Sequence, residues 1–324
     1  MKEKNILPRY KISDQTLLLA TEITACLAQP AFCFPFSLSK EKEQEIFASE
    51  LEAWMLLDTT IDEENLESPL RSQAAALLRG DDFEPDVYER RDILQAHLKL
   101  LQGIVVNPGS FRLEAPLWTD AKKLDYAPPA AKKVADYVKA VLDWGKIGKK
   151  VVPHPLIQAT VIGYALDVIQ PFETGSRMLS LLWMRLILEK WNSAFAHIPL
   201  FTTLLDHADG YFAALRNALQ EENAGKFIDS MLQYILDALH HFIDFQQEQK
   251  PDSRFVKALL ETLGDRTLST KELMDGLKLK HRPTFRDHYL LPALQSGLVE
   301  MTIPDKPNSC RQKYRRRTDG KTRL

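Results

Sequence analysis

Apolar residues recur at helical spacing over residues 12 to 28 and 40 to 57, separated by the proline-broken Gln29-Pro30-Ala31-Phe32-Cys33-Phe34-Pro35. This pattern predicts two helices of an N-terminal arm. A polar stretch from Asp58 to Asn65 precedes helices at 70 to 78 and 85 to 103, the second carrying Ile93, Leu94, His97, Leu98 and Leu101 on one face. The helical period fails from Val105 to Ala127. There Asn107-Pro108-Gly109 sets a turn and Leu124-Asp125-Tyr126 alternates before Ala127-Pro128-Pro129, which predicts a short β-hairpin or flap. An amphipathic helix over 130 to 144 is expected to end near Gly145, with a basic linker, Lys146 to Lys150, after it.

The most apolar segments, 154 to 169 and 178 to 191, flank the loop Gln170-Pro171-Phe172-Glu173-Thr174-Gly175-Ser176-Arg177. Both are apolar nearly all round, so both read as buried central helices with the loop at the N-terminus of the second. Helices at 200 to 219 and 225 to 247 complete a bundle, and the polar run Gln246 to Pro251 marks a boundary. Beyond it, three short helices (253 to 263, one starting at Ser269 or Thr270, and 283 to 296) and a two-strand tail from Leu298 to Tyr314 follow the order of a winged helix-turn-helix.

Composition agrees with a mainly α class: 13 glycines against 18 prolines, 45% hydrophobic and 27% charged residues in 324. Two domains are expected from the length, divided as an arm over 1 to 80, a core over 81 to 250 and a small domain over 251 to 324. A net charge of -2 gives the whole molecule no field for nucleic acid, so local patches have to be judged separately. Cys26, Cys33 and Cys310 are scattered, as free thiols in a reducing compartment would be. Met1 to Tyr10 is polar, and no apolar run reaches the roughly 18 residues of a membrane span. A cytoplasmic protein with no membrane partner is the expectation.

A helix start presents unpaired N–H groups and the positive end of the helix dipole, so Gly175-Ser176-Arg177 forms a candidate anion cradle. Such a turn also serves as a plain connection between buried helices. Its surroundings add more. The chain resembles the Fic family, which transfers a nucleotide monophosphate, usually AMP from ATP, to a protein hydroxyl. Pro171, Phe172 and Gly175 stand where the family's His-Pro-Phe-x-Asp/Glu-Gly-Asn-Gly-Arg motif has Pro, Phe and Gly. His154-Pro155-Leu156-Ile157, Leu182-Trp183, Leu188 to Asn192 and Tyr211 to Leu215 resemble the motif's flanks in one bacterial subgroup, and Gly109-Ser110-Phe111-Arg112 resembles an upstream element. Tyr126 and Ala127 match the flap that aligns a target segment by strand pairing. Lys280 to Arg286 with Met301 to Ser309 resembles the subgroup's C-terminal module.

The resemblance implies a Fic-type helical bundle with a β-hairpin flap and a winged-helix domain, a protein target, and ATP with magnesium as ligands. The motif is degenerate, however. Gln170 replaces the histidine that takes the target's proton, and an amide cannot serve as a general base. The metal-binding acid falls on Thr174, and without a gap the asparagine, second glycine and arginine become Ser176, Arg177 and Met178. A one-residue slip would make Arg177 the phosphate-binding arginine and bring Glu173 toward a metal. The family's inhibitory segment falls on Asp58 to Leu66, with Asp62 for its glutamate and Glu63 for its glycine.

Elsewhere the signals are plainer. His240 and His241 are adjacent on a helix and point about 100° apart, too divergent to share a metal, and Ser110, Ser176 and Ser180 have no histidine at triad spacing. Arg282, Arg286, Arg315 and Arg316 are candidate DNA contacts. Three readings stay open: a catalytically impaired regulatory or binding protein, an unconventional nucleotidyl- or phosphotransferase using Glu173 and Arg177, and a DNA-binding regulator whose core dimerises.

Overall fold

A computed structural model describes residues 8–29, 32, 40–58, 60–61, 69–81, 83–114, 126–147, 154–248, 253–295, 298–303, 309 and 311–317. The chain divides into two compact units, with the boundary near Phe242.

The first unit is helical. Its helices are α1 (Asp14–Leu27), α2 (Lys40–Leu56), α3 (Pro69–Arg79), α4 (Arg90–Leu101), α5 (Val134–Ile147), α6 (Pro155–Ile169), α7 (Ser176–Trp191), α8 (Leu200–Asp206), α9 (Ala208–Gln220) and α10 (Gly225–Glu248), which runs on past the boundary. As their composition requires, α6 and α7 form the centre: every residue of α6 but Pro155 and Val168 is buried. The two pack along each other more extensively than any other helix pair. Ser13 starts α1 with a capping box shared with Thr16 and also donates to Asp229 Oδ2 on α10 at 3.0 Å.

The N-terminal helices are built into this unit. On α2, Trp54 is fully buried and its Nε1 donates to the Met178 carbonyl on α7 at 2.8 Å. Glu50 accepts the N–H groups of Phe201 and Thr202, at 3.0 and 2.7 Å, at the start of α8. Burial pushes the Glu50 carboxyl up, against the lowering pull of those bonds. The helix α2 therefore serves as an external cap for the core.

Several boundaries differ from the sequence reading. Leu98 is 40% exposed, and the buried face of α4 runs through Ile93, Ala96, His97, Leu100 and Leu101. Gly145 does not end α5; it lies inside the helix, where a Cβ would stand 2.7 Å from the Tyr88 ring. The single helix expected over 200 to 219 breaks at His207 into α8 and α9. The expected hairpin falls mostly on 115 to 125, outside the described residues, and its described flanks at 103–114 and 126–130 contain no strand.

In the second unit, α11 (Ser253–Leu263), β1 (Leu268–Ser269), α12 (Thr270–Gly276), a composite helix α13, β2 (Val299–Met301) and β3 (Lys313–Arg316) follow in order. The helix α13 joins Arg282–Phe285, a π-helical stretch Arg286–Leu290 and Leu291–Gln295. The sheet is antiparallel with order β1-β3-β2. The two strands expected after α13 are present, and the third, β1, was too short to leave a period-2 signal. Leu259, Leu263, Leu273, Phe285, Leu290, Ala293, Val299 and Tyr314 form a separate core.

Candidate functional site

The helix α6 ends at Gln170, whose left-handed backbone (φ 47°, ψ 69°) turns the chain sharply into the loop. The next helix, α7, follows its N-cap residue Gly175, also left-handed at φ 77°. A glycine is required there twice over, because a Cβ would also meet Leu101 Cδ1 at 3.0 Å. Between them Phe172 is fully buried, and Ser176 Oγ closes the turn by accepting the Phe172 N–H at 2.9 Å and donating to its carbonyl at 3.0 Å.

Gly175 has no side chain with which to cap α7. The cap comes from residues that follow α2. Asp58 Oδ2 accepts the Met178 N–H at 2.9 Å, and Thr60 Oγ1 accepts the Gly175 N–H at 3.1 Å. Thr60 is held for this by Asp58 Oδ1, which accepts both its N–H at 3.0 Å and its hydroxyl at 2.6 Å. Asp58 is 2% exposed. The positive end of α7, the feature that suggested an anion site, thus holds a carboxylate of the same chain. Asp62 and Glu63, the sequence-based candidates in this segment, lie outside the described residues.

The Gln170 side chain is also turned inward. Its Nε2 donates to the Asp167 carbonyl at 2.7 Å and to Asp167 Oδ1 at 3.0 Å, and the residue is 3% exposed. Asp167 is the one charged residue of α6, and Arg177 meets it with Nε at 3.2 and 3.3 Å from the two carboxylate oxygens. The Tyr211 hydroxyl donates to Asp167 Oδ2 at 2.9 Å, and the Arg177 guanidinium lies over the Phe212 ring. Burial disfavours the charged guanidinium, but Asp167, Tyr211 and Asp58 together outweigh it and hold the Arg177 pKa above its ordinary value. Burial and then the Asp167 charge drive the Tyr211 phenol well up, so it stays a donor.

Arg112 ties the loop to its neighbours. Its Nε donates to the Gln170 carbonyl at 2.6 Å, Nη1 to the Glu114 backbone carbonyl at 2.8 Å, and Nη2 to the backbone carbonyls of Pro129 at 2.5 Å and Ile169 at 3.3 Å. A cation at the carbonyl end of α6 suits that end of the dipole. Burial lowers its pKa, offset in part by Tyr126. The Tyr126 phenol is pushed up to about 12 by its own burial, against the pull of Arg112, and Ala127 follows it in a stretch without regular structure.

His97 supports the loop from below. Its ring stacks on Phe172 at 3.9 Å between centroids; Nδ1 accepts the Gly109 N–H at 2.7 Å and Nε2 stands 3.1 Å from the Thr174 carbonyl. Those partners require a neutral ring with the proton on Nε2. Burial lowers its pKa to about 4, although the Thr174 carbonyl and Asp58 pull the other way.

One cavity of about 210 Å³ opens here, lined by His97, Asn107, Ser110, Arg112, Glu173 and Thr174 among others. Small-molecule sites usually enclose roughly 300 to 1,000 Å³. Glu173 is exposed at the loop and Thr174 is half-buried. Among the described residues no three His, Cys, Asp or Glu side chains gather to hold a metal. The residues present do not fit a magnesium nucleotide: Arg177 is turned to Asp167, and the N–H groups of Gly175 and Met178 at the start of α7 are taken.

The structure therefore brings Gln170, Ser176 and Arg177 together inside the unit and leaves Glu173 apart at its surface. Sequence reasoning missed Asp167 and Tyr211 as members of the site, and within the segment from Asp58 to Leu66 it singled out Asp62 and Glu63 rather than Asp58 and Thr60. Asp167 carried a signal, being the only charge in an apolar helix. No local pattern marks Asp58 as a cap for a helix more than a hundred residues away.

The Fic/DOC family model matches residues 87–188, which span the loop, and the model for the C-terminal domain of the filamentation-induced-by-cAMP protein Fic-like matches 254–316; together they cover half of the chain. Among solved structures, a Fic family protein from Desulfovibrio desulfuricans G20 is similar at 27% identity and a TM-score of 0.64, over 97% of this chain and 99% of that one. Fic-1 from C. elegans, at 16% identity and a TM-score of 0.51 over 72% of each chain, shares the fold. No curated protein matches. With the motif loop, its flanking helices and the C-terminal unit all accounted for, the chain belongs to the Fic/DOC family.

Proposed function

We propose that this is a Fic-fold binding or regulatory protein that has given up nucleotide transfer, its anion cradle being closed by its own Asp58 and Thr60. The observation that carries this reading is the pair of bonds from Met178 N–H to Asp58 and from Gly175 N–H to Thr60. A triphosphate would have to displace a buried carboxylate from the same donors. Once there it would find no base, because Gln170 does not titrate and its amide is engaged with Asp167. Losing a base alone removes about 10²- to 10⁴-fold of rate, and losing electrostatic stabilisation removes more.

The competing reading, an unconventional transferase using Glu173 and Arg177, fits the geometry less well. Arg177 is committed to Asp167, and freeing it would leave that carboxylate buried without a counter-charge. We place the protein in the cytoplasm; no helix among the described residues is long and apolar enough to cross a membrane.

The test is transfer of label from α-labelled ATP with magnesium to the protein itself or to lysate proteins. No transfer is expected from the natural chain. Label that appears and is lost in Glu173→Gln would overturn the reading in favour of the transferase.

A further inference from the structure

The second unit has a charge balance unlike that of the whole. Residues 253–317 contain 14 Lys and Arg against 7 Asp and Glu, in a chain whose net charge is -2. The positive field is thus local to this unit.

Its placement is specific. The helix α13 commits Phe285, Leu290 and Ala293 to the unit's core and leaves His281, Arg282 and Arg286 exposed. Arg282 and Arg286 are four residues apart, and Asp287 is the only acid on α13. At the other end of α13, the Leu298 N–H reaches the Ala293 carbonyl at 3.1 Å and the Arg317 N–H reaches the Leu298 carbonyl at 3.0 Å, which ties the end of β3 to the end of the helix. Arg316 and Arg317 are exposed there. None of Arg282, Arg286, Arg316 and Arg317 has an acidic partner among the described residues. Arg315 differs, since its Nε pairs with Glu300 across the strands.

We infer that this unit binds the phosphate backbone of duplex DNA, with Arg282 and Arg286 at one end of α13 and Arg316 and Arg317 at the other. A 14-residue helix is about 21 Å long, and duplex DNA presents one negative charge per roughly 1.7 Å of axis, so about a dozen phosphate charges lie within its span. An exposed helix beside a basic strand pair is a shape that the major groove admits. An anionic membrane suits it less, because surface binding needs apolar side chains to insert and Leu298 is the only large exposed hydrophobic residue among the unit's described residues.

The experiment is fluorescence anisotropy of an end-labelled duplex of about 20 base pairs with the full chain, as salt rises from about 50 to about 200 mM. Four phosphate contacts predict a log–log slope near -3.6 and a loss of affinity of about 150-fold across that range. Arg282→Ala/Arg286→Ala is expected to reduce the slope by about two, while Arg282→Lys/Arg286→Lys keeps it. Lys132→Ala/Lys133→Ala, exposed in the first unit, is expected to change nothing. Circular dichroism of each variant confirms that it is folded. Absence of binding at the lowest salt, an unchanged slope in the double alanine variant, or capture by phosphatidylserine vesicles without capture of the duplex overturns the proposal. None of these results bears on the capped loop in the first unit.

Discussion

Asp58 Oδ2 accepts the Met178 N–H at 2.9 Å, so the start of the helix that follows the motif loop is neutralised by a carboxylate 120 residues earlier in the chain. Asp58 is also the anchor for Thr60, which takes the neighbouring Gly175 N–H. Substituting it therefore disturbs both caps at once. Asp58→Ala is expected to destabilise the first unit by about 1 to 3 kcal/mol, the cost of leaving buried donors unmet, and Asp58→Asn, which keeps an acceptor, by less. Urea unfolding followed by Trp fluorescence reads this; equal losses in the two variants would show that the carbonyl oxygen of residue 58 contributes nothing as a cap.

The His97 ring gives the fold a pH dependence of definite sign. Its pKa is about 4 when folded against about 6.5 unfolded, so between those values the unfolded chain binds a proton that the folded one refuses. Stability must fall as pH drops from 6.5 toward 4, by up to about 3 kcal/mol, and this contribution levels off below. Protonating Nδ1 would set a new N–H against that of Gly109. Comparing urea midpoints of the natural chain and His97→Gln at pH 7 and pH 4.5 isolates the effect; parallel losses in both proteins would assign it to other groups.

Arg177 and Asp167 stand or fall together. Arg177→Met leaves Asp167 buried with only Tyr211 and Gln170 as donors and is expected to cost about 3 to 5 kcal/mol. Removing both charges in Arg177→Met/Asp167→Leu is expected to cost less than the single change. A double variant less stable than the single would show that the hydrogen bonds from Tyr211 and Gln170 stabilise the lone Asp167 carboxylate by more than its burial costs.

Gln170→His restores the residue type of a base without its setting. The backbone at 170 is left-handed and the side chain is directed to Asp167. No gain in label transfer from ATP is expected from this change alone, and a large gain would mean that the loop opens readily.

How much of this was legible beforehand follows the range of the interactions. The buried helices α6 and α7, the loop between them and the small C-terminal unit all have local causes: apolar runs, a proline-glycine turn, a Ser269 capping box. The Pro171, Phe172 and Gly175 frame was legible for the same reason. The direction of Arg177 was not, because a one-residue choice of register depends on which buried partner the guanidinium finds, and Asp167 lies ten residues back. The capping of α7 was least legible. It depends on α2 docking Trp54 beneath Met178; the resemblance singled out the segment from Asp58 to Leu66 but put the weight on Asp62 and Glu63, and nothing local marks Asp58 as the cap. The break at His207 was hidden by an unbroken apolar period from α8 into α9.

On the proposed reading Asp58 stands in the place of a bound anion, and titration calorimetry of magnesium ATP into the natural chain and Asp58→Ala decides this. No measurable binding to the natural chain is expected, and weak binding, competed by inorganic phosphate, to Asp58→Ala once both N–H groups are free. Tight binding to the natural chain that Asp58→Ala leaves unchanged would contradict it.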